Sequence, residues 1–174
     1  LFTKAMIPCR QAMKVADETV FEELLARPGL SESAYYLARQ RQDAVWTMDA
    51  ELEALAADLA VDGLAAWGRL YDELSGKLSF DMGPDEQGKP VPTPMARKRS
   101  LVEDVDPKVR SKAFARSNEA WEEMAHVAGA CLNAIAGTRL TLYKRRGLSD
   151  FLEKPLFDSA VKRSTIEAMW RVVD

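Results

Sequence analysis

The single histidine of the chain, His126, is the natural starting point for any chemistry. Glu123 precedes it by three residues, as in the Glu-x-x-His unit of di-iron bundles, where both side chains share one helix face. Such a site needs a second pair and further carboxylates, and a zinc peptidase motif needs two histidines around a glutamate. Residue counts leave Ser–His or Cys–His catalysis open, but no local spacing supports it. We predict that His126 is a partly exposed helix histidine that binds no metal.

The two cysteines, Cys9 and Cys131, lie far apart and outside any disulfide or metal-binding spacing. No Cys–His spacing predicts a catalytic thiol. We expect both cysteines to pack as small buried hydrophobic residues. This usage is typical of the reducing cytoplasm, which is the localisation that we predict.

Two short basic runs, Arg97–Arg99 and Lys144–Arg146, occur in a chain whose net charge is −3. A nucleic-acid interface would combine excess positive charge with interleaved aromatic residues. We interpret both runs as solvated charges, and the second also as the cationic end of a helix. Trp67, Trp121 and Tyr143 fall on helical apolar stripes and are predicted to be core residues. The sequence therefore assigns no catalytic, cofactor-binding or metal-binding residue.

The composition is that of a globular protein, with 47% hydrophobic and 29% charged residues among 174. No apolar stretch approaches the roughly 18 residues that a transmembrane helix requires, and no signal-peptide pattern begins the sequence. The acidic balance predicts no general affinity for nucleic acid or anionic membranes. We expect one domain with its own core, and neither a membrane nor nucleic acid as partner.

The first half of the chain has helical periodicity. One or two short helices are predicted over Thr3–Arg27, ended by Pro28-Gly29. A long helix is predicted over Ser31–Val61, with its first serine as the cap. Asp62 is predicted to cap the following helix, Leu64–Gly76.

The periodicity then changes to two, with Leu78, Phe80 and Met82 alternating with polar residues. This pattern predicts a strand. The polar run Gly83–Lys89 predicts a turn, and Val91–Thr93 predicts a short edge strand limited by its prolines. A small hairpin is the one β element that we expect.

The second half of the chain is predicted to be helical again. Ser100–Glu103 has a capping-box pattern, and Asp106-Pro107 begins a second long helix with Asp at the cap and Pro at the first position. This helix is predicted to run unbroken to a basic stop at Arg146-Gly147. A loop is predicted over Leu148–Ser159. The helix is predicted to have a broad buried face, with Phe114, Trp121, Ala128 and Ile135 every seven residues, flanked by Ala113, Ala120, Met124, Val127, Cys131 and Leu132.

A capping box at Ser164–Glu167 begins a final helix whose apolar positions continue to the last residues. Because this helix is still in progress at Asp174, and the sequence begins at Leu1 rather than Met, we expect a fragment of a larger protein. The predicted fold class is all-α: a multi-helical lobe with long antiparallel helices and one small β-hairpin.

The run Asp106–Ala113 also matches the way in which the second helix of a HEAT repeat begins. A solenoid needs several such units at a period of about 40 residues, and the sequence has one. This observation keeps open an alternative in which the chain is a stand-alone helical scaffold or protein-interaction module.

Three stretches, in their order and spacing, are similar to the N-terminal region of the oligoendopeptidase F family of zinc metallopeptidases. The resemblance covers most of the chain, from about Leu30 to its end, and the ordered set is more specific than any one stretch. The stretches are Leu64–Leu74 followed by the strand Leu78–Met82, then Asp106–Phe114, and then Leu132–Gly147 leading into Leu156–Arg163.

The resemblance implies a large helical peptidase with two lobes around a channel that admits short unfolded peptides. It also implies one zinc ion, held by an HExxH helix and a downstream glutamate. This chain contains no HExxH, so no metal or catalytic residue of the family carries over to it. Residues 1–163 would form the N-terminal lobe and residues 164–174 the first turns of the catalytic domain. We expect the chain to be inactive alone and to bind no zinc.

The final helix has an apolar face formed by Ile166, Met169, Trp170 and Val173. Exposed apolar patches of this kind drive association. We therefore expect the chain to form a homodimer through exposed apolar helix faces.

Overall fold

The computed structural model describes residues 2–84 and 87–173. The chain divides into two compact units, one formed by Leu1–Ala60 with Thr138–Asp174 and the other by Val61–Gly137. The predicted fold class is confirmed, because helices dominate and the described residues contain one two-stranded antiparallel sheet. Within these residues, each helix is too short or too polar to cross a lipid bilayer.

The first unit begins with three short helices, α1 (Phe2–Ala5), α2 (Ile7–Val15) and α3 (Glu18–Leu25), where one or two were predicted. Asp17 separates the last two, since its side chain accepts a hydrogen bond from the Thr19 N–H at 2.8 Å and caps α3. The break predicted at Pro28-Gly29 is present. Gly29 has φ of 86°, a conformation that glycine adopts without steric cost.

The single long helix predicted over Ser31–Val61 is wrong. A 3₁₀ turn at Ser31–Ser33 leads into α4 (Ala34–Ala44), and neither element has a side-chain cap, so the predicted serine cap is also wrong. The chain leaves the helical conformation before α5 (Ala50–Asp62) begins. Side chains replace the lost backbone bonds at this break. The Thr47 hydroxyl donates to the Ala44 carbonyl at 2.7 Å, and Glu53 accepts from the Met48 N–H at 3.0 Å.

The second unit contains α6 (Leu64–Lys77) and the predicted hairpin of β1 (Ser79–Pro84) and β2 (Pro90–Pro94). Gly63 occupies the cap position of α6 without a side-chain bond, so the predicted Asp62 cap is wrong. The strands pair with Phe80 opposite Thr93, and the register is irregular between Asp81 and Pro84. Asp85 and Glu86 of the predicted turn lie outside the described residues.

The prolines of β2 determine what its outer edge can bind. The Met95 N–H donates to the Leu78 carbonyl at 2.9 Å, so in this antiparallel register the backbone groups of Thr93 also face β1. Pro92 and Pro94 alternate with these residues and therefore face outward. Because proline has no N–H, the outer edge lacks a donor at both positions and resists pairing with another strand.

After a 3₁₀ turn at Met95–Arg97, the second unit continues with α7 (Lys98–Val102) and α8 (Pro107–Glu122). The predicted capping box at Ser100 is wrong, because Ser100 lies inside α7 and its hydroxyl donates to the Arg97 carbonyl at 3.0 Å. The predicted start of α8 is confirmed. The Asp106 carboxylate accepts from the Lys108 N–H at 2.8 Å, and proline occupies the first turn.

The second long helix was predicted without a break, and this is also wrong. A turn at Glu123 and Met124 separates α8 from α9 (Ala125–Arg145). The Met124 N–H donates to the Trp121 carbonyl at 3.0 Å, three residues back, which is the tighter 3₁₀ pattern. Neither glycine nor proline lies at this turn, so the local sequence did not predict the break in the helix. The predicted buried face is corrected at Phe114, which is 61% exposed, whereas its flanking residue Ala113 is fully buried as predicted. Ser117, which was not predicted to belong to this face, is also fully buried.

The core of the second unit lies where the hairpin meets α8. Phe80, Met95 and Ala113 form its buried cluster, and β1 and α7 both pack against α8. The strand alternation places Phe80 inward, as the period of two predicts. The partly buried residues around this cluster include Leu78, Met82, Leu101, Val102, Ala120 and Trp121.

The first unit is completed by the end of α9, by α10 (Glu153–Asp158) and by α11 (Arg163–Val173). The predicted stop of α9 is confirmed: Gly147 has φ of 80°, and its N–H and that of Leu148 donate to the Lys144 and Tyr143 carbonyls in a Schellman motif. The predicted loop is corrected, since it contains α10. The last helix is present but begins one residue before Ser164.

Candidate functional site

The structure separates His126 from Glu123. His126 is exposed near the start of α9, whereas Glu123 lies in the preceding turn, so the two do not share a helix as a Glu-x-x-His unit would require. Among the described residues, no group of three or more His, Cys, Asp and Glu side chains could hold a metal ion. These residues therefore do not fit the zinc ion that the family resemblance implies.

The two cysteines are both free but differ in burial. Cys131 is buried as predicted, whereas Cys9 is exposed, so the prediction for Cys9 is wrong. The Cys9 side chain lies at an apolar groove that Val20 and Leu24 also line. An amphipathic α2 leaves this position at the surface, which the spacing of apolar residues did not resolve.

A buried carboxylate that the sequence analysis did not single out organises the first unit. Asp43 on α4 is 8% exposed, and it pairs with Arg10 of α2 at 3.2 Å and with Lys154 of α10 at 2.9 Å. Burial alone would lower the pKa of Lys154, but its acceptors Asp158 and Asp43 raise it. This network joins three helices and is structural in character.

The second basic run also has a structural role. Arg146 was interpreted as a solvated or capping charge, but it forms an ion pair with Glu53 of α5 at 2.7 Å. Burial tends to raise the pKa of Glu53, yet hydrogen bonds from Arg146 and from the Met48 N–H, with the charges of Arg146 and Arg10, hold that pKa below its usual value. Arg146 is therefore committed to this pair.

The first basic run lies beside a groove of about 570 Å³ in the second unit, bordered by α6, α7 and α8. The Tyr71 and Trp121 rings stack in this groove, with centroids 5.6 Å apart and planes within 8°. Parallel rings at this centroid distance are in the offset-stacked arrangement, which is a favourable one for aromatic pairs. Besides the two rings, the groove is lined by Ser75, Gly76, Met95, Ala96, Lys98, Arg99 and Val102.

The cations of the groove are weakly used by the protein itself. Lys98 makes no ion pair within the described residues; its Nζ contacts the Asn118 amide oxygen at a long 3.3 Å and lies 5.9 Å from the centroid of the Phe114 ring. Arg99 is 4.0 Å from Glu103, and its side chain is 91% exposed, so this pair contributes little. Among the described residues, the lining contains two cations and no carboxylate. An aromatic surface beside available positive charge makes this groove the candidate binding site.

The sequence predicted the helices and the aromatic residues that form this groove, but not that these residues lie together at its surface. Trp121 was predicted to be core, and it does pack on the buried cluster, but it also lines the groove. Tyr71 belongs to the apolar stripe of α6, and periodicity alone does not distinguish a core aromatic from one at a groove.

Comparisons with known proteins agree with the sequence resemblance. Residues 13–80 match the N-terminal model of the M3 peptidases, described as oligopeptidase F. The fold is similar to the crystal structure of a candidate peptidase from Chlamydophila abortus, with a TM-score of 0.70 and 17% sequence identity. That similarity covers 94% of this chain but 28% of the other, so this chain spans little more than a quarter of its length. A comparison with curated proteins finds no significant match.

The sequence match concerns the family over part of the chain, whereas the structural similarity, at 17% identity, concerns the fold. The match lies in α2 to β1, and the fold similarity extends over nearly the whole chain. The resemblance of this chain to the N-terminal region of the oligoendopeptidase F family is therefore confirmed.

Proposed function

We propose that this chain is the N-terminal helical lobe of a zinc-dependent oligoendopeptidase, a hydrolase that cleaves short unfolded peptides. The carrying observation is the match of residues 13–80 to the oligopeptidase F model, which lies within a fold shared with a much longer candidate peptidase. Residues 1–163 form the lobe in this proposal, and residues 164–174 begin the catalytic domain. The lobe walls the substrate channel of a cytoplasmic enzyme.

In this proposal the lobe and the zinc site belong to different parts of the parent enzyme. The described residues offer no donor set for zinc, so the zinc site and the base that activates water belong to another part of the parent. When bound there, zinc would polarise the peptide carbonyl and lower the pKa of its water. The chain alone is inactive in this proposal, and its exposed apolar faces support a homodimer.

The proposal is tested by comparing the 174-residue chain with the product of the complete reading frame. We expect the longer product to cleave a quenched fluorogenic peptide and to lose this activity with a chelator. The chain alone is expected to show neither cleavage nor stoichiometric zinc by elemental analysis. Zinc-dependent cleavage by the chain alone would overturn the inactive lobe.

The alternative function, a stand-alone helical scaffold or interaction module, predicts a different result. In that case the reading frame ends at Asp174, or its longer product contains no HExxH and cleaves no peptide. Either result would remove the peptidase proposal while leaving the fold unchanged.

A further inference from the structure

We propose that the groove of Tyr71 and Trp121 binds the free C-terminal carboxylate of a short peptide, with Lys98 and Arg99 as the cationic partners. Both cations line the groove together with the stacked rings. Lys98 makes no ion pair within the described residues, and Arg99 has only a distant, exposed one. Their charges remain available to a ligand.

Charge complementarity selects an anionic occupant. The chain has a net charge of −3, yet the described lining of the groove contributes two cations, and Glu103 approaches Arg99 only at 4.0 Å. Arginine binds carboxylates through paired N–H groups, and lysine contributes a point charge. A carboxylate held at this position would complete the hydrogen bonding of both side chains.

The rest of the lining selects what accompanies the carboxylate. The Tyr71 and Trp121 rings with Met95 and Val102 provide an apolar surface, and a volume of about 570 Å³ is within the range of small-ligand sites. An aliphatic or aromatic side chain next to the carboxylate would cover this surface. The groove thus fits the last few residues of a peptide.

The choice of a terminal carboxylate over an acidic side chain rests on the proposed function, whereas carboxylate recognition rests on the groove alone. Short peptides carry a free C-terminus whatever their sequence. A site that reads this group would orient many different substrates in one direction.

The test is an NMR titration of the 174-residue chain with N-acetyl-Ala-Phe-Leu as the free acid, followed at the Trp121 indole N–H. We expect saturable binding, and binding about tenfold weaker or worse for the C-terminal amide of the same peptide. N-acetyl-Glu-Phe-Leu amide, which carries its acid on a side chain, is expected to bind as weakly as the plain amide. Equal binding of all three peptides, or no binding of the free acid, would overturn the proposal. If the Glu-containing amide bound as tightly as the free acid while the plain amide bound weakly, the choice of the terminal carboxylate over an acidic side chain would be overturned.

Variants test whether the peptide binds at this groove or is attracted by the basic run in general. The double variant Lys98→Gln, Arg99→Gln is expected to lower the affinity for the free-acid peptide about tenfold. Arg97→Gln, which lies in the same basic run but outside the lining, is expected to leave that affinity within about twofold of the wild type. An equal loss in Arg97→Gln would overturn the assignment. The single Lys98→Gln variant repeats the test should the double variant unfold. Because no cleavage is measured, failure here is distinguishable from failure of the peptidase proposal.

Discussion

Arg146 donates two hydrogen bonds to the carboxylate of Glu53, from Nε at 2.9 Å and from Nη2 at 2.7 Å, and the two residues are 93 positions apart in the sequence. The Glu53 side chain is 12% exposed. The pair joins α5 to the residue that follows α9, within the first unit. Bidentate pairs of this geometry are among the stronger polar contacts in proteins.

Replacing Glu53 by Gln is expected to lower the free energy of unfolding by about 1.5–3 kcal/mol, because Arg146 loses a charged acceptor in a largely buried setting. Chemical denaturation at neutral pH measures this loss. The matched control is Glu119→Gln, which breaks the exposed Arg116–Glu119 pair and is expected to cost less than about 1 kcal/mol. Equal losses in the two variants would contradict the assignment.

The same pair predicts a pH dependence. The folded state holds the pKa of Glu53 below its usual value of 4.5, so the unfolded chain takes up this proton first as the pH falls. The stabilisation is therefore full above the unfolded pKa and is lost as the pH falls through the folded one. The stability gap between the wild type and Glu53→Gln is expected to close on acidification below about pH 4.5. A gap that is constant down to strongly acidic pH would rule this out.

Replacing Asp43 by Ala is expected to cost about 3–5 kcal/mol, since Arg10 and Lys154 would lose the buried partner between them. Thermal or urea unfolding measures the loss. Adding Lys154→Met is expected to recover part of it, because it removes a cation that would retain only the more exposed Asp158 as its partner. Asp58→Ala is the control, since its pair with Lys4 is exposed and is worth at most about 1 kcal/mol.

Two glycines, one within α9 and one just after it, are expected to respond in opposite directions to alanine. Gly147→Ala is expected to destabilise by about 1 kcal/mol, because φ of 80° is unfavourable for a residue with a Cβ. Gly129→Ala lies within α9, where an added Cβ meets open space, and is expected to stabilise by about 0.5–1 kcal/mol. Melting temperatures of the two variants decide this, and shifts of the same sign would refute it.

Self-association is expected to depend on α11. Trp170 is 62% exposed and Met169 is also exposed, and exposed apolar surface favours association. Light scattering at high concentration is expected to give a dimer for the wild type and a lower mass for Trp170→Ser. Arg171→Ser, on the same helix, should leave the mass unchanged. A monomeric wild type would contradict the homodimer.

Features set by near neighbours were predictable from the sequence. Asp106-Pro107 begins α8 because a capping carboxylate and a missing N–H act within one turn. Gly147 ends α9 for an equally local reason, its left-handed backbone. The hairpin followed from the alternation around Phe80, and the resemblance to a peptidase lobe followed from the order of such elements along the chain.

The tertiary structure decided which residues meet and where the long helices break. Helical periodicity continues across residues 45–49 and across Met124, so only packing and the bonds of Thr47 and Glu53 reveal the turns. The burial of Asp43, the exposure of Phe114 and the groove beside Lys98 depend on contacts between distant segments. Local patterns act over a turn or two of backbone, whereas the positions of Glu53 and Arg146 result from the packing of whole helices. For that reason the sequence determined the elements of this lobe, and the fold alone determined its sites.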